Sequence, residues 1–216
     1  MEIKGIDISR WQGEIDFNKV KASGIDFVII RAVGENQLVD PLFMANYEKA
    51  RAAKLNIGCY YFANRKFRGS QAGVIAANNF IKIINGLKFE YPVYLDIEAQ
   101  DNRYKNEITE AAVAFCDTME KAGYFAGIYA SDISGFRDRL IYDKVKKYAA
   151  WVARYGSEPH NVKDWGMWQF TSRGSVSGII GSVDMDISKV DYAKVITEKG
   201  FNNYPKKKKK TEKKEA

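Results

Sequence analysis

Two carboxylates, Asp96 and Glu98, end the apolar run "YPVYLDIEAQ" at residues 91–100. Side chains alternate along an extended chain, so residues two apart share a face. Val93, Leu95 and Ile97 then take one face, and Tyr94, Asp96 and Glu98 the other. "GIDIS" repeats the arrangement, with Ile6 and Ile8 alternating with Asp7 and Ser9. "SVDMDIS" repeats it again, with Val183, Met185 and Ile187 opposing Asp184 and Asp186. Carboxyl groups gathered in one place repel each other and lose hydration, and both effects raise a pKa. A glutamate that keeps its proton near neutral pH can act as a general acid. The competing explanation is structural, with these acids neutralised by Arg31, Arg154 or Lys4 in buried ion pairs.

The remaining residue types narrow the chemistry. The chain has one histidine, His160, and two cysteines, Cys59 and Cys116, with no CxxC pair. This argues against Ser-His-Asp triads, Cys-His pairs and most zinc sites. Both cysteines lie in apolar surroundings and are expected to be buried free thiols. "RAVGEN" has too few glycines to cradle a phosphate. No metal or other cofactor is expected. The aromatic residues of the strand-like segments include Tyr60, Tyr61, Phe62, Tyr129, Trp151, Tyr155 and Trp168. Pyranose C–H faces pack on such rings. Paired carboxylates with aromatic surfaces point to glycoside hydrolysis.

Eight strand-like segments hold these residues, at 3–9, 26–33, 56–63, 91–98, 124–131, 148–155, 165–172 and 181–188. Helical periodicity predicts helices over 16–23, 41–54, 69–85, 107–122 and 132–140, with a weaker one at 189–198. Strand–helix alternation implies a largely parallel sheet. Eight strands suggest an α/β barrel, with an open flavodoxin-like sheet as the rival. The last connections are too short for full βα units, and "FTSRGSVSGIIGSVDMD" is patterned as a hairpin, so the barrel is expected to be irregular. Acids at the carboxyl ends of barrel strands would converge on one rim.

A catalytic domain is expected over residues 1–200, followed by a lysine-rich disordered tail or linker over 201–216. The 216 residues are 46% hydrophobic and carry a net charge of +7. Seven lysines and two glutamates in "KKKKKTEKKEA" supply five of those seven charges. Such a run is a solvated tail or linker, or else an attractor of anionic polymers. It contains no arginine or aromatic residue, so no nucleic-acid partner is expected. No apolar stretch approaches the roughly 18 residues of a membrane span, and no signal peptide precedes the first strand.

Taken together, "KGIDISRWQGEIDFNKVKASGIDFVIIRA", "DPLFMANYEKARAAKLNIGCYYFA", "PVYLDIE", "GYFAGIYAS", "WVARY" and "WQFTSRGSVSGIIGSVDMDI" resemble the lysozymes of glycoside hydrolase family 25. The resemblance runs from about residue 4 to 190 and implies a flattened, irregular TIM-like β/α barrel. It also implies N-acetylmuramidase activity on peptidoglycan, at the β-1,4 bond between N-acetylmuramic acid and N-acetylglucosamine. Glu98 matches the family's proton donor and Asp96 its second catalytic carboxylate. Asp7 and Asp184 match the supporting acids of the cleft. Tyr60 or Tyr61 and Tyr129 are similar to cleft tyrosines, and Trp151, Arg31 and Asp186 are further candidates for substrate binding. Many members carry "KATEG" where this chain has "RAVGEN", which leaves the contacts of Arg31 open.

The expected setting is the cell wall, reached by a monomeric enzyme made in the cytoplasm without a signal peptide, as phage endolysins are. The lysine tail would then be drawn to anionic wall polymers. A chitinase-like hydrolase is the rival enzyme, although Tyr94 stands where its further aspartate would be. A non-catalytic wall-binding lectin is the rival outside enzymes.

Overall fold

The structure is a computed structural model that describes residues 2–206, and the lysine run beyond Lys206 lies outside the described residues. Eight strands follow one another around a closed barrel in chain order. They are β1 (Ile3–Ile8), β2 (Phe27–Val33), β3 (Asn56–Phe62), β4 (Val93–Asp96), β5 (Ala126–Ser131), β6 (Ala149–Ala153), β7 (Met167–Gly174) and β8 (Val183–Ser188). The helices are α1 (Phe17–Ala22), α2 (Phe43–Ala52), α3 (Ser70–Ile84), α4 (Lys105–Lys121), α5 (Tyr142–Val145) and α6 (Tyr192–Lys199).

Strands β1 to β7 pair in parallel, while β8 runs antiparallel to both β7 and β1. The reversal follows from the Gly- and Ser-rich link between β7 and β8, which is too short for a crossover helix. A helix expected over 132–140 is instead a single π-helical segment, Asp132–Arg137, followed by the short α5. The pairing of β2 with β3 shifts register between Arg31 and Val33, a bulge at the rim beside the acids.

The barrel wall is buried on both faces, which explains near-continuous apolar runs such as "FVIIRAV" in β2. Outside, Val28, Ile30, Ile57, Val93 and Leu95 meet α3 and α4 through Phe80 and Phe115. Inside, the filling is aromatic: Phe27 stacks on Tyr91 at 4.1 Å, and Trp151 packs against Tyr129 at 4.4 Å and Tyr94 at 5.1 Å. Rings of this size fit only where the facing strand is bare. A Cβ on Gly5 would lie 2.2 Å from the Phe27 ring, and one on Gly127 would lie 2.4 Å from that of Tyr94.

The folded body continues past residue 200, where the sequence placed its edge. Gly200 ends α6 in the left-handed conformation, at φ 73°. Asn202 is then fully buried, donating to the carbonyls of Phe89 at 3.1 Å and Tyr91 at 2.9 Å and accepting from Phe125 N–H at 2.7 Å. This asparagine ties the chain across the amino-terminal ends of β4 and β5. Cys59 and Cys116 are both buried free thiols.

Candidate active site

The carboxyl ends of β1 to β7, with the amino-terminal end of the reversed β8 that carries Asp184, surround a cleft of about 340 Å³, lined by Asp7, Asp96, Glu98 and Asp184 among others. β1 and β8 set Asp7 directly opposite Asp184. Like charges facing across a ladder weaken a sheet, so this register costs stability. β4 supplies Asp96, whose neighbours in the ladder are Phe62 and Tyr129. The strand ends there, and Glu98 lies just beyond it, open to the cleft. Asp96 is nearly inaccessible, and its Oδ1 has no donor among the described residues.

All of these acids titrate above their ordinary range. Burial, then the facing Asp186 and Asp184, raises Asp7. Burial, then Glu98, raises Asp96, with Arg31 and Arg139 opposing. For Glu98 the rise comes from partial burial, opposed by Arg139 and reinforced by Asp184 and Glu35. Burial also raises Asp184. Asp186 rises through burial, against the Trp151 N–H bond. Asp186 Oδ1 accepts from Trp151, while its Oδ2 is buried with no hydrogen-bond partner among the described residues.

The proposed ion-pair partners are engaged elsewhere. Arg31 pairs with Asp40 at 2.7 Å, and Arg154 pairs with Asp132 at 2.8 Å. Lys4 is exposed on the other side of β1. Among the described residues, no salt bridge neutralises the acid cluster.

The expected binding residues divide between the two faces of the wall. Tyr60, Tyr129 and Arg31 line the cleft, and Trp151 forms its floor, donating from Nε1 to Asp186 at 2.8 Å. Asp186 itself is fully buried and lies beneath the cleft, where it supports Trp151. Tyr61 points the other way, between Phe80 and Phe115, and its hydroxyl donates to Gln37. Trp168 also packs against the outer layer, its Nε1 donating to the Arg154 carbonyl. A one-residue step along a strand reverses the face, and Tyr60 takes the cleft position that the sequence shared with Tyr61.

Two residues join the site that sequence reasoning missed. Gln169 on β7 donates to Asp7 Oδ2 at 2.8 Å and accepts from the hydroxyls of Tyr129 at 3.0 Å and Tyr155 at 3.1 Å. Two hydroxyl donors on its oxygen fix the orientation of the amide, so its N–H must face the aspartate. Arg139, buried behind the acids, donates to the carbonyls of Gln100 at 2.7 Å and Ile97 at 3.4 Å. It holds the turn that carries Glu98. Among the described residues, no group of His, Cys, Asp and Glu is arranged to hold a metal ion.

Residues 6–179 match the pattern of Glycosyl hydrolases family 25. The chain belongs to this family. It is 31% identical over 185 residues to the autolytic lysozyme of Clostridium acetobutylicum, a match covering 85% of this chain and 55% of that protein. The chain thus spans about half the length of that relative. Among solved structures, it is similar to the CTP1L endolysin, with a TM-score of 0.79 and 30% identity over 90% of this chain and 69% of the other. A family 25 glycosyl hydrolase from Bacillus anthracis aligns with a TM-score of 0.73 and 25% identity, over 94% and 93% of the two chains. The family's barrel is the fold seen here. Tyr94, where a chitinase-like enzyme would need an aspartate, is instead fully buried beneath Trp151.

Proposed function

We propose that the protein is a peptidoglycan hydrolase, a 1,4-β-N-acetylmuramidase that cuts between N-acetylmuramic acid and N-acetylglucosamine. The carrying observation is the pairing of Glu98, open to the cleft with a raised pKa, with an enclosed Asp96 beside it. Two close carboxyls resist ionising together, so the pair retains one proton. In the working state that proton sits on Glu98. Arg139 favours the charged form of either acid, and Arg31 favours that of Asp96, against the cost of its burial.

Glu98 then protonates the leaving glycosidic oxygen as oxocarbenium character develops on the sugar. Asp96 Oδ1, lacking a protein donor, is suited to the substrate's acetamido N–H or to the developing positive charge. Trp151, Tyr60 and Tyr129 supply ring surfaces for the saccharide. Asp7, tethered by Gln169, and Asp184 set the field around the pair. The lysozyme and endolysin names of the similar proteins agree with this chemistry.

The setting proposed is the bacterial cell wall. No helix among the described residues is long and apolar enough to cross a membrane. We keep the lysine run as an attractor of anionic wall polymers, and a monomer as the working form.

The test is clearance of purified cell walls, with mass spectrometry of the products. Wild-type protein is expected to release fragments with muramic acid at the reducing end. Glu98→Gln should lose about 10²-fold or more of the rate, as removal of a general acid does. Undiminished lysis by that variant would overturn the assignment.

A further inference from the structure

A second cavity, of about 680 Å³, adjoins the acid cleft, and the two share Trp11, Arg31 and Phe62 as a common wall. Its far side is the turn after β2, closed by the Val33–Val39 bridge and by Gly34 N–H donating to the Leu38 carbonyl at 3.0 Å. That turn presents aliphatic side chains to solvent: Leu38 is 65% exposed and Val39 is 46% exposed. Trp11, at the junction, is 73% exposed.

The charges around this groove do not cancel. Asp40 is committed to Arg31, and Glu35 pairs with Arg65 at 3.4 Å. Arg10 has no carboxylate partner among the described residues, and its guanidinium lies over the Trp11 ring at 4.7 Å from the centroid. The groove is therefore aliphatic along one side with an uncommitted cation at its mouth.

A further sugar would call for ring faces to stack on, and the rings of this groove, Trp11 and Phe62, stand only at the junction. Leu38 and Val39 offer none. They suit small alkyl side chains, and Arg10 suits a carboxylate. Peptidoglycan carries both features on a short peptide of alanyl and acidic residues, joined to the lactyl ether of muramic acid.

We propose that this groove binds that stem peptide while the neighbouring glycosidic bond occupies the acid cleft. Arg10 pairs with a peptide carboxylate, and Leu38 and Val39 cover the alanyl methyls. The proposal rests on the muramidase reading and adds a substrate requirement to it: the enzyme recognises peptide-bearing strands.

Two measurements test this. The first compares kcat/KM on glycan strands that carry stem peptides and on strands stripped of them by an amidase. Wild-type protein should prefer the peptide-bearing strands by roughly tenfold, the scale of one charge-assisted contact. Arg10→Glu and Leu38→Ser should lose that preference while cutting stripped strands at the wild-type rate. Equal rates of the wild type on both substrates would overturn the proposal. So would an equal loss on both by the variants, which would mark the groove as a saccharide site.

The second measurement titrates free stem peptide into Glu98→Gln protein and follows tryptophan fluorescence, with Trp11 as the exposed reporter. A saturable change abolished by Arg10→Glu is expected. Its absence overturns the proposal whether or not the protein cleaves walls. Failure to cut either strand, with peptide binding intact, would instead remove the muramidase reading.

Discussion

In the proposed reaction Glu98 works only while it holds its proton, so its neighbours would set the alkaline limit of activity. Asp184 raises the Glu98 pKa through its negative charge. Removing that charge makes ionisation easier, and the proton is then lost at lower pH. Asp184→Asn is therefore expected to move the alkaline limb of the kcat/KM profile toward acid, measured by initial rates across pH. An unmoved limb would separate Asp184 from the proton donor. At this scale the acids were legible because polar residues stand out against a β alternation. Tyr60 and Tyr61 were not separable, because β3 is apolar and aromatic on both faces. Gln169 carried a signal that went unused, as the one amide in the aromatic run "WGMWQFTS". Arg139 carried none, since it is anchored by carbonyls about 40 residues earlier in the chain.

The elements were easier to read than the direction in which they run. Strand-like runs and amphipathic helices mark themselves locally, and the hairpin link foretold that the last connection breaks the βα pattern. Nothing local foretold that β8 would close against β1, which depends on the barrel as a whole. The π-helical segment Asp132–Arg137 was also hidden. It is held by Asp132, whose carboxylate collects N–H groups from His160, Asn161 and Val162 as well as Arg154. Tight inner packing makes a separate prediction for β5. Gly127→Ala places a methyl against both the Tyr94 ring and the Ala149 carbonyl, the latter at 2.8 Å. Overpacking of this kind is expected to cost about 1–3 kcal/mol, measured by urea unfolding. The loss should extend to activity, because Tyr94 supports Trp151 at the cleft floor.

For the molecule as a whole, the acid cluster ties stability to pH. Asp7, Asp96, Glu98, Asp184 and Asp186 all have folded pKa values above their ordinary ones. The folded state then binds more protons than the unfolded chain, so stability falls as pH rises above about 4. Asp132 acts in the opposite sense, because its hydrogen bonds and Arg154 outweigh its desolvation and lower its pKa. Its contribution is lost only as pH drops below the ordinary carboxylate range. Calorimetry is expected to find the highest Tm on the mildly acidic side of neutrality. Asp186→Asn should make the decline toward alkaline pH shallower, since it removes a carboxyl whose pKa burial raises on folding. A decline as steep as that of the wild type would show that Asp186 does not contribute to it.

The pairing of β1 with β8 also fixes when the acid cleft is completed. Asp7 lies on the first strand of the barrel and Asp184 on the last, and they meet only when the two strands join. Closing so long a loop costs little more entropy than closing a moderate one, but contacts this distant in sequence form slowly. A chain folded only through β7 therefore carries Asp96 and Glu98 without a finished cleft around them. The cleft is completed in one step, by the strand that seals the barrel.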